Sequence, residues 1–130
     1  MSLKIEYVLD SAAVIALLHL EPGYQRVAEV LEKSAISSVN LAEIFNKLVQ
    51  EASAEVVREL LRPLKLQVED WTEAMAYRSA EFSGLSKSHG LSLGDRACLT
   101  LAKQLRATAV TSHRAWRRLP SLGVRIMIFR

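Results

Sequence analysis

The chain has 130 residues, half of them hydrophobic and 24% charged, with a net charge of +3. That length and balance suit one globular domain spanning 1–130 and argue against intrinsic disorder. A single cysteine, Cys98, excludes an intrachain disulfide, and the absence of a membrane-length apolar run or a signal-peptide pattern leads us to expect a cytoplasmic protein without membrane attachment.

In chain order, KIEYVL (4–9) alternates and then turns apolar, as a strand entering a core does. SAAVIALLHL (11–20) is apolar nearly all round and reads as a buried helix, broken by EPG (21–23). A second helix is expected over 24–34 and a short strand at AIS (35–37). An amphipathic helix follows over 39–52, with Leu41, Ile44, Phe45, Leu48, Val49 and Ala52 on one stripe. A helix over 54–63 ends at Pro63; LQVE (66–69) reads as a strand, and 71–89 as a helix aligning Trp71, Met75, Ser79 and Phe82. HGLS (89–92) is a loop, 93–105 a helix, TAVT (108–111) a strand, HRAWRRL (113–119) a helical turn and VRIMIF (124–129) the last strand. Strands alternating with helices predict a three-layer α/β/α sandwich with a mostly parallel central sheet.

Sites in such sheets form beyond the carboxyl ends of the strands. Asp10 follows the first strand, Glu43 lies early in the helix after AIS, Asp95 opens the helix 93–105, and His113 follows TAVT. Each has a bland reading. Asp10 is placed to N-cap helix 11–20, Asn40 and Glu43 have nearly the spacing of a capping box, and so do Ser92 and Asp95. Capping alone does not call for carboxylates that converge, and converging like charges repel. A divalent cation resolves that repulsion. A few hard oxygen ligands, with no cysteine pair and no clustered histidines, point to Mg²⁺ or Mn²⁺ rather than zinc. Neither phosphate-loop motif is present, Ser11 has no evident His–Asp pair to activate it, and His19 and His89 read as packing or surface residues. Past Asp95 the chain has no acid, while Arg96, Lys103, Arg106, Arg114, Arg117, Arg118, Arg125 and Arg130 are basic. Such a run is either a solvated basic surface or a polyanion-binding face.

The stretches YVLDSAAVIALL, EPG, ISSVNLAEI, GLSLGDRACLTLA and AVTSHRAW, in this order from Tyr7 to Trp116, resemble PIN-domain proteins of the VapC toxin type. The resemblance implies Mg²⁺- or Mn²⁺-dependent cleavage of RNA, a homodimer, and a small cognate antitoxin that blocks the site. By position, Asp10, Glu43 and Asp95 match the family's first three acids, and Arg96 and Trp116 its flanking pattern. Ser11 stands where Thr is frequent and Ala12 where Ser is common. His113 stands where the family usually has an acid, in a T-x-D-R-A-W pattern. Asp10, Glu43 and Asp95 are therefore the expected catalytic and metal residues, with His113 a fourth candidate ligand and Ser11, Asn40, Arg96 and Arg114 the candidate substrate contacts. A ribonuclease toxin is the function so implied. The alternative is a catalytically weakened module that binds RNA or antitoxin, and a third reading is a small-molecule phosphohydrolase.

Overall fold

A computed structural model describes residues 4–84, 90–119 and 122–130. Its elements are β1 (Tyr7–Leu9), α1 (Ser11–His19), α2 (Tyr24–Val30), β2 (Ser34–Ser37), α3 (Ser38–Leu48), α4 (Ala54–Leu61), β3 (Gln67–Glu69), α5 (Glu73–Arg78), α6 (Leu93–Leu105), β4 (Thr108–Thr111) and β5 (Ile126–Ile128). Single 3-10 turns occupy Leu31–Lys33, Arg62–Leu64, Ser79–Phe82 and Arg114–Arg118.

The five strands pair in parallel in the order β3-β2-β1-β4-β5. Because side chains alternate along a strand, the register sorts the core into two halves. Val8, Ala35 and Ala109 are neighbours across three strands, and all three pack with Met75, Phe82, Cys98, Leu99 and Trp116 on the α5–α6 face. Leu9, Ile36 and Val110 point the other way, onto Ala13, Val14, Val27, Ile44 and Val57 of α1–α4. Helices on both faces make the expected three-layer sandwich.

Several boundaries differ from the sequence reading, each for a local reason. The second helix stops at Val30 because Ser34 already pairs beside Tyr7, and the Ser34 hydroxyl donates to the Val30 carbonyl at 2.7 Å. Helix α3 starts one residue early, at Ser38, with Ser37 as its N-cap, and ends at Leu48 instead of Ala52. The segment expected to be one helix over 71–89 begins at Glu73, where the Thr72 hydroxyl accepts from Met75 N–H, and tightens into a 3-10 turn at Ser79. Its last part, 85–89 with His89, lies outside the described residues. In EPG, Gly23 has φ +88, and a Cβ there would collide with the carbonyl oxygen of Phe129, so the turn that launches α2 requires glycine. Among the described residues no helix is long and apolar enough to cross a membrane.

From β1 the chain winds outward through β2 and β3 on one side, and β4 and β5 lie on the other. The carboxyl ends of β1 and β4 therefore flank the topological switch point, where such sheets open a crevice.

Candidate active site

Asp10 sits at that switch point. Its backbone N–H extends the sheet ladder to the Val110 carbonyl at 3.1 Å, and its Oδ1 accepts from Ala13 N–H at 2.9 Å, capping α1. The residue is 2% exposed. Burial raises its pKa from 3.8 to about 6, and the nearby Asp95 adds to the rise. The Thr111 hydroxyl, the Ala13 N–H and His113 oppose it. The cap reading is therefore correct, and it leaves the chemistry open, because capping engages one oxygen of a carboxylate that burial holds far from its ordinary pKa.

Glu43 reaches the same crevice from α3. Its Oε1 accepts from Asn40 Nδ2 at 2.9 Å and from the Ser11 hydroxyl. Asn40, 1% exposed, also donates to the Gly94 carbonyl at 3.1 Å, joining α3 to α6. Two acceptors facing Nδ2 fix the orientation of the amide, and they leave Asn40 Oδ1 buried with no partner among the described residues. Asn40 and Glu43 do not cap α3; Ser37 does, and the N-x-x-E spacing places amide against carboxylate one turn apart on the helix. The glycine of LSLGDR has a matching role, since a Cβ on Gly94 would overlap the Glu43 carboxylate.

Asp95 is held by the capping box that the S-x-x-D spacing predicts. Ser92 N–H donates to Oδ2 at 2.9 Å, and Asp95 N–H donates to Ser92 Oγ at 3.1 Å. Its other oxygen lies 3.7 Å from His113 Nε2, beyond hydrogen-bond length. The His113 side chain is half exposed and stacks on buried Trp116, with ring centroids 5.4 Å apart. Trp116 in AVTSHRAW thus aims the imidazole.

A cleft of about 400 Å³ is lined by Asp10, Ser11, Asn40, Glu43, Asp95 and His113, together with Ile15, Lys47 and Ser92. Two expected contacts lie elsewhere. Arg96 Nε donates to the Ser92 carbonyl at 3.4 Å, and Arg114 Nε donates to the Arg130 carbonyl at 3.3 Å. Three residues beside the acids fall outside the site that the sequence predicts. Lys47 stands four residues after Glu43, hence on the same helix face, and that spacing could have revealed it. Ser92 was read only as a cap. Thr111 ends a predicted strand beside Asp10, and only strand order shows the two to be adjacent. Beneath the cleft, burial pushes the Cys98 thiol well above its usual range, with Asp10, Asp95 and Glu43 adding to it in that order. All three carboxylates thus act on one buried point.

The donors are carboxylate and amide oxygens with one imidazole, a set that suits a hard divalent ion. The unpartnered Asn40 Oδ1 and the uncompensated burial of Asp10 fit it as well. Among the described residues no three His, Cys, Asp or Glu side chains are grouped tightly enough to hold a metal directly. Mg²⁺ usually keeps several waters and takes only one or two carboxylates, so its donors need not form a closed cage.

The PIN domain family matches residues 7–122. No curated protein matches the chain. Among solved structures, the chain is similar to VapBC2 from Rickettsia felis bound to a DNA fragment from their promoter, with 19% identity, TM-score 0.75, and 95% of this chain and 98% of that chain covered. It is similar to DNA-bound VapBC from Salmonella typhimurium, with 20% identity, TM-score 0.77, and 97% and 99% covered. It is also similar to FitAcB from Neisseria gonorrhoeae, with 21% identity, TM-score 0.71, and 95% and 97% covered. At these identities the likeness is one of fold.

Proposed function

This chain belongs to the PIN-domain family, and on that premise we propose that it is the toxin of a toxin–antitoxin pair, a ribonuclease that depends on Mg²⁺ or Mn²⁺. The observation that carries the reading is Asp10: a carboxylate 2% exposed, at the switch point, with two more carboxylates on the same cleft and no cation paired to it among the described residues. Asp10, Glu43 and Asp95 would hold the ion, with His113 as a fourth donor. When bound, such an ion lowers the pKa of a coordinated water and offsets charge on a phosphate.

The protein's own contribution is positional. Ser11 and Asn40 spend their hydrogen bonds on Glu43 and orient its carboxylate, so they act as positioning residues. Ser92 does the same for Asp95 and leaves Oδ1 directed toward His113. Lys47, at the rim of the cleft, supplies a cation for a phosphate flanking the cut. Arg96 and Arg114 line no part of the cleft and would meet the strand farther out. Unpaired segments of RNA suit such a site best, because the major groove of an A-form helix is too narrow for side chains to read.

A solved toxin–antitoxin complex from Klebsiella pneumoniae, to which the chain is similar in fold, suggests the partner. A groove of about 690 Å³ between α3 and α4 exposes Leu41, Phe45, Leu61 and Val68 beside Arg58 and Lys65. An amphipathic antitoxin segment with acidic flanks fits that apolar floor and basic rim. Apolar residues also stand exposed on the opposite face, at Tyr77 and Leu93, and a homodimer would cover a surface of this kind.

A second reading has observations of its own. Every acid of the site is already engaged by a protein donor, no three are grouped for direct ligation among the described residues, and His113 stands where an acid is usual. On side-chain placement alone, a weakened module that binds RNA or antitoxin is the better supported; the burial of Asp10 is what favours the enzyme. Incubation of purified protein with total RNA, with and without Mn²⁺, separates them. Discrete Mn²⁺-dependent products that vanish in Asp10→Asn are expected of the enzyme. Binding without products is expected of the module.

A further inference from the structure

The acid-free stretch after Asp95 acquires a location in the fold. Residues 96–130 build most of α6, β4, the 3-10 turn and β5, which together form one flank of the sheet, with β5 as its outer strand. At the amino end of the strands, opposite the carboxylates, this flank closes on a polar cleft of about 380 Å³ lined by Lys4, Ile5, Glu6, Tyr7, Arg106, Thr108 and Arg125. Three cations therefore converge on one cavity with a single acid, and that acid is taken, because Glu6 pairs with Lys33 at 3.2 Å. Lys4, Arg106 and Arg125 form no ion pair among the described residues. Other acids that neighbour this flank are also occupied, Glu81 by Lys103 and Glu21 by Arg130.

Like charges gathered without counter-charge are the footprint of an anionic partner. We propose that the Lys4–Arg106–Arg125 cleft anchors the phosphodiester backbone of single-stranded RNA at a point remote from the carboxylate cleft. The proposal rests on the reading above that this chain binds RNA, whether or not it cuts it. It supplies what the carboxylate edge lacks, since three acids repel a polyanion and, among the described residues, Lys47 is the one Lys or Arg lining that cleft. The two clefts lie at opposite ends of β1, whose step from Tyr7 to Asp10 covers about 10 Å. Arg125 precedes β5, while Arg117 and Arg118 are exposed on the turn packed beside that strand. Further cations thus stand along the outer strand beyond the cleft. Guanidinium groups pair bidentately with phosphate, and Thr108 and Tyr7 line the same space.

The test is fluorescence anisotropy on the full chain in EDTA, so that no cutting occurs, with a labelled single-stranded RNA and a poly-glutamate peptide of equal charge, each over a range of salt. Arg106→Ala/Arg125→Ala should weaken RNA binding by on the order of tenfold and flatten its logarithmic salt dependence by about 1.4, two phosphate contacts at about 0.7 each. Circular dichroism should show the variant folded as the parent. RNA affinity and salt slope equal to the parent's would overturn the proposal. So would an equal loss for poly-glutamate, which would assign the cleft to an acidic protein segment. The readout is independent of cleavage: RNA binding that depends on these arginines in a protein that cuts nothing would sink the ribonuclease reading and leave the anchor standing.

Discussion

The carboxylate of Glu43 fills the space that a Cβ on Gly94 would occupy. Helices α3 and α6 meet at this point, locked by the Asn40 amide, which donates both to Glu43 and to the Gly94 carbonyl. Gly94→Ala should therefore expel the Glu43 side chain. The displaced carboxylate is the far end of an exposed side chain and can swing into solvent, so the expected cost is its hydrogen bonds with Asn40 and Ser11, about 1 kcal/mol, together with loss of metal-dependent cleavage. Metal-dependent cleavage by Gly94→Ala equal to the parent's would show that the two side chains do not compete for that space.

Asp10 predicts an unusual pH dependence. Its native pKa of about 6 lies above the unfolded value of 3.8, so the native state binds more protons between the two. The stability tied to the protonated carboxyl is complete below about pH 3.8 and is lost as pH rises through 6. The gap corresponds to on the order of 3 kcal/mol. Asp10→Asn keeps the cap and cannot ionise. In EDTA it should be more stable than the parent at pH 7.5, with the difference closing near pH 4. Added Mn²⁺ should raise the melting temperature of the parent and leave that of Asp10→Asn unchanged. Parallel stability curves for the two proteins across this range would mean that the carboxylate is not an uncompensated buried charge.

Much of this arrangement is legible in the sequence. Strand–helix alternation gave the layers, and the position of Asp10 straight after an apolar strand gave the first acid. The Ser92–Asp95 spacing gave the capping box. Legibility failed where the cause is tertiary. Asn40–Glu43 imitates a cap, but Ser37 takes the cap because Ser34 to Ser37 are pulled into the sheet beside β1 and β3. Thr111 reaches Asp10 only through the β1–β4 pairing, which brings together residues about a hundred positions apart. The basic cleft likewise joins Lys4 to Arg106 and Arg125, and composition could say only that cations gather late in the chain.

Cys98 lies under the three acids with no exposed surface, and burial together with those charges holds its thiol far from ionisation. Thiolate is the reactive form. Iodoacetamide at pH 8 should leave the native protein unmodified and alkylate it fully in denaturant. Rapid labelling of the native protein would show that the floor of the site opens to solvent.

We predict that His113 sets which ion the site prefers. An imidazole in place of an acid removes one negative charge from the cleft, and Mg²⁺ accepts nitrogen donors less readily than Mn²⁺ does. Its ring is half exposed, 3.7 Å from Asp95 Oδ1, and held by stacking on Trp116, so it can turn toward an ion beside Asp95 without repacking the core. The parent should therefore bind Mn²⁺ more tightly than Mg²⁺. His113→Asp should strengthen Mg²⁺ binding by roughly tenfold, the scale of one added carboxylate interaction of about 1.4 kcal/mol, and narrow the gap between the two metals. Trp116→Leu should blur the preference by freeing the imidazole, at a cost in stability from the lost aromatic packing. Calorimetric titration of each metal into the parent and both variants reads these effects without any RNA present. Superimposable Mg²⁺ isotherms for the parent and His113→Asp would make the histidine a bystander, oriented by Trp116 and without a part in holding the ion.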